Sequence, residues 1–266
     1  MSEESTDGTY RIGDAVAELR QLDAESAAVV CLDDAWARPH RNGAFGVEYP
    51  THGFDGTVDV LCEVRRVLKP GGWLIADADA WLQQKLLEYL PEAWGNAAED
   101  YAEGYRKPGY VTLVSSDGTP DEGTPGQKLS TGGYPVVFAH KGETERRTTV
   151  SAGQIADRPR ENFGWGSIKP VTPYQNWIEG LTESGERVVV PCAGTAPAAI
   201  AAERLGRPWV AIDCEPDARE AFDRRRQHEL ADDDQQTLPV MADGHGKYDT
   251  ETEQSSTATD QGGEDL

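Results

Sequence analysis

The sequence predicts an α/β fold in which helices cover both faces of a mainly parallel sheet. Short apolar runs alternate with amphipathic stretches through the first hundred residues, as they do in successive βα units. A strand, a small-residue turn, a helix and a second strand then follow one another at 186–216, the order of a nucleotide-binding unit. With 266 residues and 38% hydrophobic content, the chain can bury one core plus a smaller insert. We therefore expect one catalytic domain.

The predicted elements alternate along the chain as a parallel sheet with crossover helices requires. The first part contains a helix at 13–23, a buried strand at 27–34 that ends in two acids, a helix at 58–72 closed by Gly71 and Gly72, a strand at 73–79 and a helix at 81–90. After a stretch at 91–133 rich in Gly, Pro, Asp and Thr, predicted to be an irregular and mobile loop, come a strand at 134–142, a helix at 172–184, a strand and loop at 187–194, a helix at 197–206 and a strand at 208–213.

The formal net charge is −22, from 47 acidic and 25 basic residues, of which 7 are Lys. Because molar salt screens an acidic surface strongly, this composition is typical of salt adaptation and indicates a halophilic archaeon or its virus. Charge alone argues against a nucleic-acid partner. Part of the excess is local, however, since residues 229–266 contain 11 acidic residues and one Lys, which predicts a disordered tail. The remaining body can still form a local basic cleft.

Several classes of protein are excluded by what the sequence lacks. The four cysteines form no CxxC pair and the five histidines are scattered, so no metal site is predicted and the thiols are expected to be reduced. No apolar run is long enough for a membrane helix, and the first residues do not match a signal peptide, so we expect a soluble, cytoplasmic protein. No nucleophile and base stand in a pattern that supports a hydrolase.

The unit at 186–216 predicts a cofactor site by its chemistry. Small residues in the turn let the backbone approach a ligand closely, and the helix start offers free amides. Asp213 ends the second strand, where an acid can bind both hydroxyls of a ribose. Many βαβ units without a ligand also have a small-residue turn, so a purely structural turn remains an alternative for these residues taken alone.

Six segments, in their order along the chain, resemble the motifs of permuted (beta-class-like) DNA amino-methyltransferases, in which the target-base motif precedes the cofactor motif. The matching segments are Gly13-Asp14, Asp33-Asp34-Ala35-Trp36 for the Asp/Ser-Pro-Pro-Tyr/Trp loop, RVLKPGG at 66–72, YPVVFAHKG at 134–142, Lys169-Pro170, and VVVPCAGTAP at 188–197 for the D-P-F-A-G-S-G-T loop. RVLKPGG alone also occurs in methyltransferases with other substrates, so the order is more informative than any one segment.

The resemblance implies a Rossmann-like, S-adenosylmethionine-dependent methyltransferase fold with circularly permuted motif order, and methylation of N6 of adenine or N4 of cytosine in DNA. An exocyclic amine is a poor nucleophile because its lone pair is delocalised into the ring. In the resembled family the first acid and a following carbonyl accept the amine hydrogens, while an aromatic ring stacks on the flipped base. These roles fall to Asp33, to the carbonyl of Asp34 and to Trp36.

The resemblance also implies the remaining site residues. Those assigned to S-adenosylmethionine are Asp14, Lys169, Pro170, Pro191, Cys192, Ala193, Gly194, Thr195 and Asp213. Candidates for phosphate or guanine contacts are Arg146, Arg147, Arg158 and Arg160, which could equally form surface ion pairs. The sequence departs from the family pattern at two places. Asp34 and Ala35 replace both prolines of the target-base loop, so no proline ring fixes φ there. Ala196 and Pro197 replace the second glycine and the threonine of the cofactor loop.

These assignments divide the chain into four predicted parts. They are a catalytic half at 1–90, a loop-rich insert and target-recognition region at 91–168 that includes the strand at 134–142, a cofactor-binding half at 169–228 and the acidic tail at 229–266. Two other functions stay open, a degenerate methyltransferase fold that binds without turnover and a methyltransferase for protein or a small metabolite. Asp33 and Asp34 could also be solvated acids at a strand end, and Trp36 a core residue. The sequence does not choose between adenine and cytosine or identify a restriction partner, and it allows a homodimer.

Overall fold

The structure is a computed structural model that describes residues 8–34, 37, 52–99, 102–121, 129, 131–146, 148–166 and 168–236. The strands are β1 (Thr9–Ile12), β2 (Ala27–Asp33), β3 (Leu68–Asp77), β4 (Gly104–Val114), β5 (Gly133–His140), β6 (Gly153–Asp157), β7 (Val188–Pro191) and β8 (Trp209–Asp213). The helices are α1 (Ala15–Leu19), α2 (Gly53–Val67), α3 (Ala80–Ala93), α4 (Thr172–Leu181), α5 (Pro197–Arg204) and α6 (Pro216–Gln236).

All of these strands belong to one 8-stranded sheet with the order β1-β8-β7-β2-β3-β5-β4-β6. Strand β5 is antiparallel to both of its neighbours, and the other pairs are parallel. From β7 the chain continues to β8 on one side, whereas from β2 it continues to β3 on the other. The sheet therefore has a topological switch point between β7 and β2, where ligands of open α/β sheets bind beyond the carboxyl ends of the strands.

The core consists of two apolar layers, one on each face of the sheet. Along β2, Val29 and Cys31 point into the layer packed by α4, α5 and α6, and the alternate residues Val30 and Leu32 point into the layer packed by α1, α2 and α3. A strand buried on both faces has no polar side, which explains why β2 is a continuous apolar run. The predicted α/β architecture is confirmed, and β7, α5 and β8 lie within the predicted cofactor unit.

The predicted helix at 58–72 differs from the structure at its end. Helix α2 stops at Val67, and the next five residues begin β3 instead of closing the helix at the two glycines. Pro70 cannot continue a helix, because its ring clashes with the preceding turn. A Cβ on Gly72 would lie 3.0 Å from the carbonyl oxygen of Ala28, so this glycine lets the start of β3 approach the backbone of β2 closely.

The stretch at 91–133 was expected to be irregular, but it contains β4, and the predicted insert at 91–168 adds β4, β5 and β6 to the main sheet. Strand β4 was missed because its sequence, GYRKPGYVTLV, mixes glycine, proline and charged residues without alternation. Its proline, Pro108, is tolerated because β6 pairs with β4 only from Tyr110 onward, so Pro108 lies where that edge of β4 is free of β6.

The predicted boundary of the acidic tail is also corrected. Helix α6 continues to Gln236, so residues 229–236 are helical, and Glu229 accepts hydrogen bonds from Arg204 and Arg225. The rest of the predicted tail, 237–266, lies outside the described residues. Within the described ranges, no helix is long and apolar enough to cross a membrane, and no cluster of His, Cys, Asp or Glu is arranged to hold a metal ion.

Candidate functional site

Acidic residues and a small-residue loop meet at the carboxyl ends of the central strands. Asp33 ends β2, Asp77 ends β3 and Asp213 ends β8, while the loop at 192–196 follows β7 and leads into α5. Because β8, β7, β2 and β3 are parallel, all of these groups lie at the same edge of the sheet. The switch point therefore has a carboxylate on either side of a loop built from small residues.

The loop after β7 has an unusual backbone. Cys192, Gly194 and Ala196 have positive φ angles of 56°, 50° and 44°, a region that costs non-glycine residues about 1–2 kcal/mol each. Ala196 is the residue before α5, and Pro197 occupies the first turn of that helix, where its missing N–H is no loss. The loop thus keeps a tight, left-handed path although two of its residues depart from the resembled pattern.

Gly194 is enclosed by three side chains from distant parts of the sequence. Its N–H donates to Asp213 Oδ2 at 2.8 Å, and its carbonyl oxygen accepts from the hydroxyl of Tyr10 at 2.8 Å. A Cβ at this position would lie 3.1 Å from Trp165 Nε1, so the indole covers the loop closely. Only glycine combines the positive φ with this clearance.

Two backbone N–H groups fix the orientation of the Asp213 carboxylate. Its Oδ1 accepts from the N–H of Glu215 at 3.0 Å, in addition to the bond from Gly194 to Oδ2. Burial raises the pKa of Asp213, and the two backbone donors partly oppose that shift. Each carboxylate oxygen still has a lone pair, so two vicinal hydroxyls can bind without displacing the backbone donors.

Lys169 connects the carboxylates at the ends of β2 and β3. Its Nζ contacts Asp33 Oδ2 directly, lies 3.3 Å from Asp77 Oδ2 and stands 5.1 Å above the ring of Tyr134. The hydroxyl of Tyr174 donates to Asp77 Oδ2 at 2.5 Å. Among the described residues, Asp77 Oδ1 has no hydrogen-bond partner. One buried cation therefore serves two carboxylates, one of which has an unused acceptor.

The ionisation of this cluster follows from its burial. Burial raises the pKa of Asp77 to about 6, and the nearby charge of Lys169 only partly opposes that shift. Burial also lowers the pKa of Lys169, but Asp33 and Asp77 outweigh this effect and the net pKa is raised. Lys169 is therefore charged at neutral pH, and it neutralises part of the negative charge at the strand ends.

The side chain of Asp34 is turned into the protein. It is 2% exposed, and its two oxygens are bonded to His52 Nε2 at 3.0 Å and to the hydroxyl of Thr57 at 2.8 Å. The hydrogen bond to Asp34 raises the pKa of His52 against the effect of burial. Among the described residues, the backbone carbonyl of Asp34 accepts one long bond, 3.4 Å, from the N–H of Ala37. The carbonyl of Asp34 is thus open to a further donor while its side-chain oxygens are bonded to His52 and Thr57.

Arg225 is a site residue that the sequence analysis missed. It is 1% exposed and donates to the hydroxyl of Thr195 at 3.0 Å and to the carbonyl of Lys169 at 2.7 Å. It therefore ties the loop after β7 to the segment that brings Lys169 to the site. A signal was present, because Arg225 continues the buried stripe of Ala218 and Phe222 at helical spacing.

The other predicted residues are distributed unevenly. Asp14 caps α1, and its Oδ1 accepts from the N–H of Ala17 at 2.9 Å. It lies next to the end of β8, because the N–H of the preceding Gly13 donates to the carbonyl of Asp213. Pro170 is buried beside Lys169, and Pro191, Cys192, Ala193 and Thr195 lie in or next to the loop that contains Gly194. Trp36 and Arg147 lie outside the described residues.

Two of the predicted arginines, Arg146 and Arg158, are engaged in separate ion pairs. Arg146 forms a two-pronged pair with Glu186, at 2.5 and 2.6 Å, and also donates to the carbonyl of Leu181. Arg158 pairs with Asp121 at 2.8 Å and is 53% exposed. Arg160 is exposed and has no partner among the residues that the structure describes. The ion-pair alternative therefore describes Arg146 and Arg158.

Comparison with known proteins identifies similar solved structures. No protein-family model matches the chain, and no curated protein sequence matches it. TTHA0409 of Thermus thermophilus, a candidate DNA modification methylase, has a TM-score of 0.58 at 19% identity, covering 84% of this chain and 96% of its own. The cytosine-N4-specific PvuII DNA methyltransferase has a TM-score of 0.62 at 17% identity, covering 84% and 90%. The complex of M1.HpyAVI with SAM has a TM-score of 0.58 at 12% identity, covering 82% and 100%.

At these identities the similarity establishes the fold. The chain has the Rossmann-like α/β fold of these methyltransferases, as the sequence predicted.

Proposed function

We propose that the chain is an S-adenosylmethionine-dependent DNA methyltransferase that acts on N6 of adenine or N4 of cytosine. The best support is the placement of two groups on either side of the switch point. One is the loop after β7, whose Gly194 is bonded to Asp213, and the other is Asp33 with the inward-turned Asp34 beside it. Proteins with the same fold are described as DNA methyltransferases, one of them cytosine-N4-specific. Both a cofactor and a base amine would thus reach the same edge of the sheet.

The residues after β7 and β8 fit S-adenosylmethionine. Asp213 has free lone pairs for the ribose hydroxyls, and its bond from Gly194 places the loop after β7 directly beside it. The indole of Trp165 covers Gly194, so a ligand that contacts this part of the backbone must displace the indole. We assign the methionine side to the loop of Pro191, Cys192, Ala193, Gly194 and Thr195 together with Lys169 and Pro170, and the adenine side to the region of Asp14. When bound, S-adenosylmethionine supplies an electrophilic methyl group on a sulfonium. The chain's own task is to orient that group and to keep water away.

Asp33 is the group that we assign to the amine. A carboxylate that accepts an amine hydrogen localises the nitrogen lone pair, which makes the amine a better nucleophile. In the structure Lys169 contacts Oδ2 of this carboxylate, which leaves Oδ1 to accept the amine hydrogen. Lys169 also contacts Oδ2 of Asp77, so one cation lies beside both carboxylates. The carbonyl of Asp34 and the ring of Trp36 complete the proposed base pocket.

Other parts of the proposal concern the DNA and the source. We retain 91–168 as the target-recognition region, in which exposed Arg160 is the leading candidate for a phosphate contact and Arg147 a further one, whereas Arg146 and Arg158 are engaged in ion pairs. The cofactor unit comes last in the chain, after the strands that carry Asp33 and Asp77, and this order supports a permuted arrangement. The charge of −22 supports a halophilic source and activity at high salt. Cytoplasmic location and a homodimer belong to the same proposal.

The test follows a labelled methyl group. The full chain is incubated with S-adenosylmethionine labelled in the methyl group and with unmethylated DNA, in about 2 M KCl to keep screening strong. We expect label on DNA with the wild type and none with Asp33→Ala. Cofactor binding without transfer to any acceptor would instead indicate a degenerate binding module. Label on protein or small molecules alone would indicate a different methyltransferase.

A further inference from the structure

The proposed reaction uses the backbone of Asp34 but not its side chain, and yet that side chain is one of the few buried charged groups among the residues that the structure describes. Both of its oxygens are bonded to residues at the start of α2, His52 before the helix and Thr57 in its second turn. Thr57 is itself fully buried. Three polar side chains thus connect the end of β2 to the start of α2, which lies far along the chain.

A buried carboxylate is costly unless its hydrogen bonds are complete, and these bonds are directional. Asp34 therefore satisfies both bonds in this orientation, and rotation about its backbone would break them. Asp33 precedes Asp34 directly, so the same bonds restrict the residue that faces the amine. This matters because neither residue after Asp33 is a proline, whose ring would fix φ.

We propose that Thr57 and His52 are positioning residues, which hold the Asp34 side chain and thereby fix the backbone at the end of β2 for the base amine. The part that concerns the amine rests on the proposed function, whereas the restriction of the backbone does not. Hydrogen bonds from α2 supply here the rigidity that a proline at position 34 would supply by covalent means. Neither residue touches the base, and both act through Asp34.

The experiment combines two substitutions, one that removes the hydroxyl of Thr57 and one that places a proline at position 34. Thr57→Val removes the donor and keeps a similar shape, and Thr57→Ser keeps the donor as the matched control. Asp34→Pro removes the acceptor and fixes φ instead, and a double variant combines Asp34→Pro with Thr57→Val. Two properties are measured for each protein, amide hydrogen exchange in the segment 30–34 and kcat for methyl transfer to DNA. Thermal unfolding and S-adenosylmethionine affinity show whether each variant is folded.

We expect Thr57→Val to speed amide exchange at the end of β2 about tenfold and to lower kcat by about the same factor, as loss of one hydrogen bond to a charged group predicts. Thr57→Ser should restore both properties. In the Asp34→Pro background, Thr57→Val should change either property less than about twofold, because the bond is already absent and the ring holds the backbone.

The outcomes separate this inference from the proposed function. Equal exchange in the wild type and in Thr57→Val overturns the inference, as does an equally large effect of Thr57→Val in the Asp34→Pro background. If exchange follows the expected pattern but no variant methylates DNA, the restriction of the backbone stands and the proposed function fails. If exchange follows the pattern and kcat of an active enzyme does not, the role in catalysis is overturned.

Discussion

Lys169 determines the charge that an incoming base would meet. It is 15% exposed and contacts the carboxylates at the ends of two neighbouring strands, so the pocket contains one positive charge beside Asp33 and Asp77. A neutral amine would enter such a pocket more readily than one lined by two unpaired carboxylates. Lys169 contacts Asp33 through Oδ2, so Oδ1 can accept an amine hydrogen while this ion pair stays intact.

On the proposed cofactor side of the site, Asp213 is the residue assigned to the ribose. We expect Asp213→Ala to weaken S-adenosylmethionine binding at least tenfold, because two hydroxyl contacts are lost and the N–H groups of Gly194 and Glu215 lose their acceptor. Equilibrium dialysis measures the affinity, and Asp217→Ala, an exposed acid in the first turn of α6, is the control. Unchanged affinity in Asp213→Ala would contradict the assignment of Asp213 to the ribose.

Asp77 should leave a signature in the dependence of stability on pH. Its folded pKa, about 6, lies above the unfolded value of 3.8, so the folded state binds the proton more tightly. The resulting stabilisation is complete below about pH 4 and is lost as the pH rises through 6, a change of about 3 kcal/mol. The free energy of unfolding of the wild type minus that of Asp77→Asn should fall across this window. A difference that is flat or rises from pH 4 to 7 would refute the prediction.

At this scale the sequence predicted Asp33, Lys169, Gly194 and Asp213 as site residues, because each belongs to a short segment with a recognisable pattern. It did not identify Asp77, Tyr174, Arg225, Thr57 or His52. These residues reach the site from separate elements, and only the folded topology brings them there. Sequence spacing also could not show that the Asp34 side chain turns inward while its neighbour faces the site.

Among the elements, β7, α5 and β8 were predicted well because their own sequences contain the signals that define them. These signals are apolar strands, a proline at the helix start and a glycine after the helix end. Strands β4 and β6 were not, because their stability comes from pairing with β5 and with each other, and not from an apolar pattern of their own. Gly72 was interpreted as a helix end although it serves strand packing.

Arg146 joins two elements and should matter for stability. Arg146 follows β5 in the chain and pairs with Glu186, which lies just before β7. The side chain of Arg146 is 24% exposed. We expect Arg146→Ala to lower the free energy of unfolding by about 2 kcal/mol, since Glu186 would lose its paired donors. Arg158→Ala, which breaks a more exposed pair, should cost less than about 1 kcal/mol. Urea unfolding compares the two, and equal losses would argue against the structural role of Arg146.

For the whole molecule, the charge of −22 predicts a strong response to salt. Screening lengths fall from about 10 Å at 0.1 M to about 3 Å at 1 M, so self-repulsion should weaken and stability should increase as KCl is added. A variant with Asp59→Asn, Glu92→Gln and Asp217→Asn, three exposed acids, should respond less steeply. Thermal unfolding across the KCl series gives both slopes. Identical slopes, or a wild type that loses stability with salt, would contradict this explanation.

The most direct test of the account identifies the methylated product. Unmethylated DNA is incubated with the full chain and S-adenosylmethionine in about 2 M KCl, digested to nucleosides and analysed by mass spectrometry. The account predicts N6-methyladenine or N4-methylcytosine in the wild-type reaction and neither in the Asp33→Ala reaction. The absence of both products from the wild-type reaction, with S-adenosylmethionine bound to the protein, would contradict it.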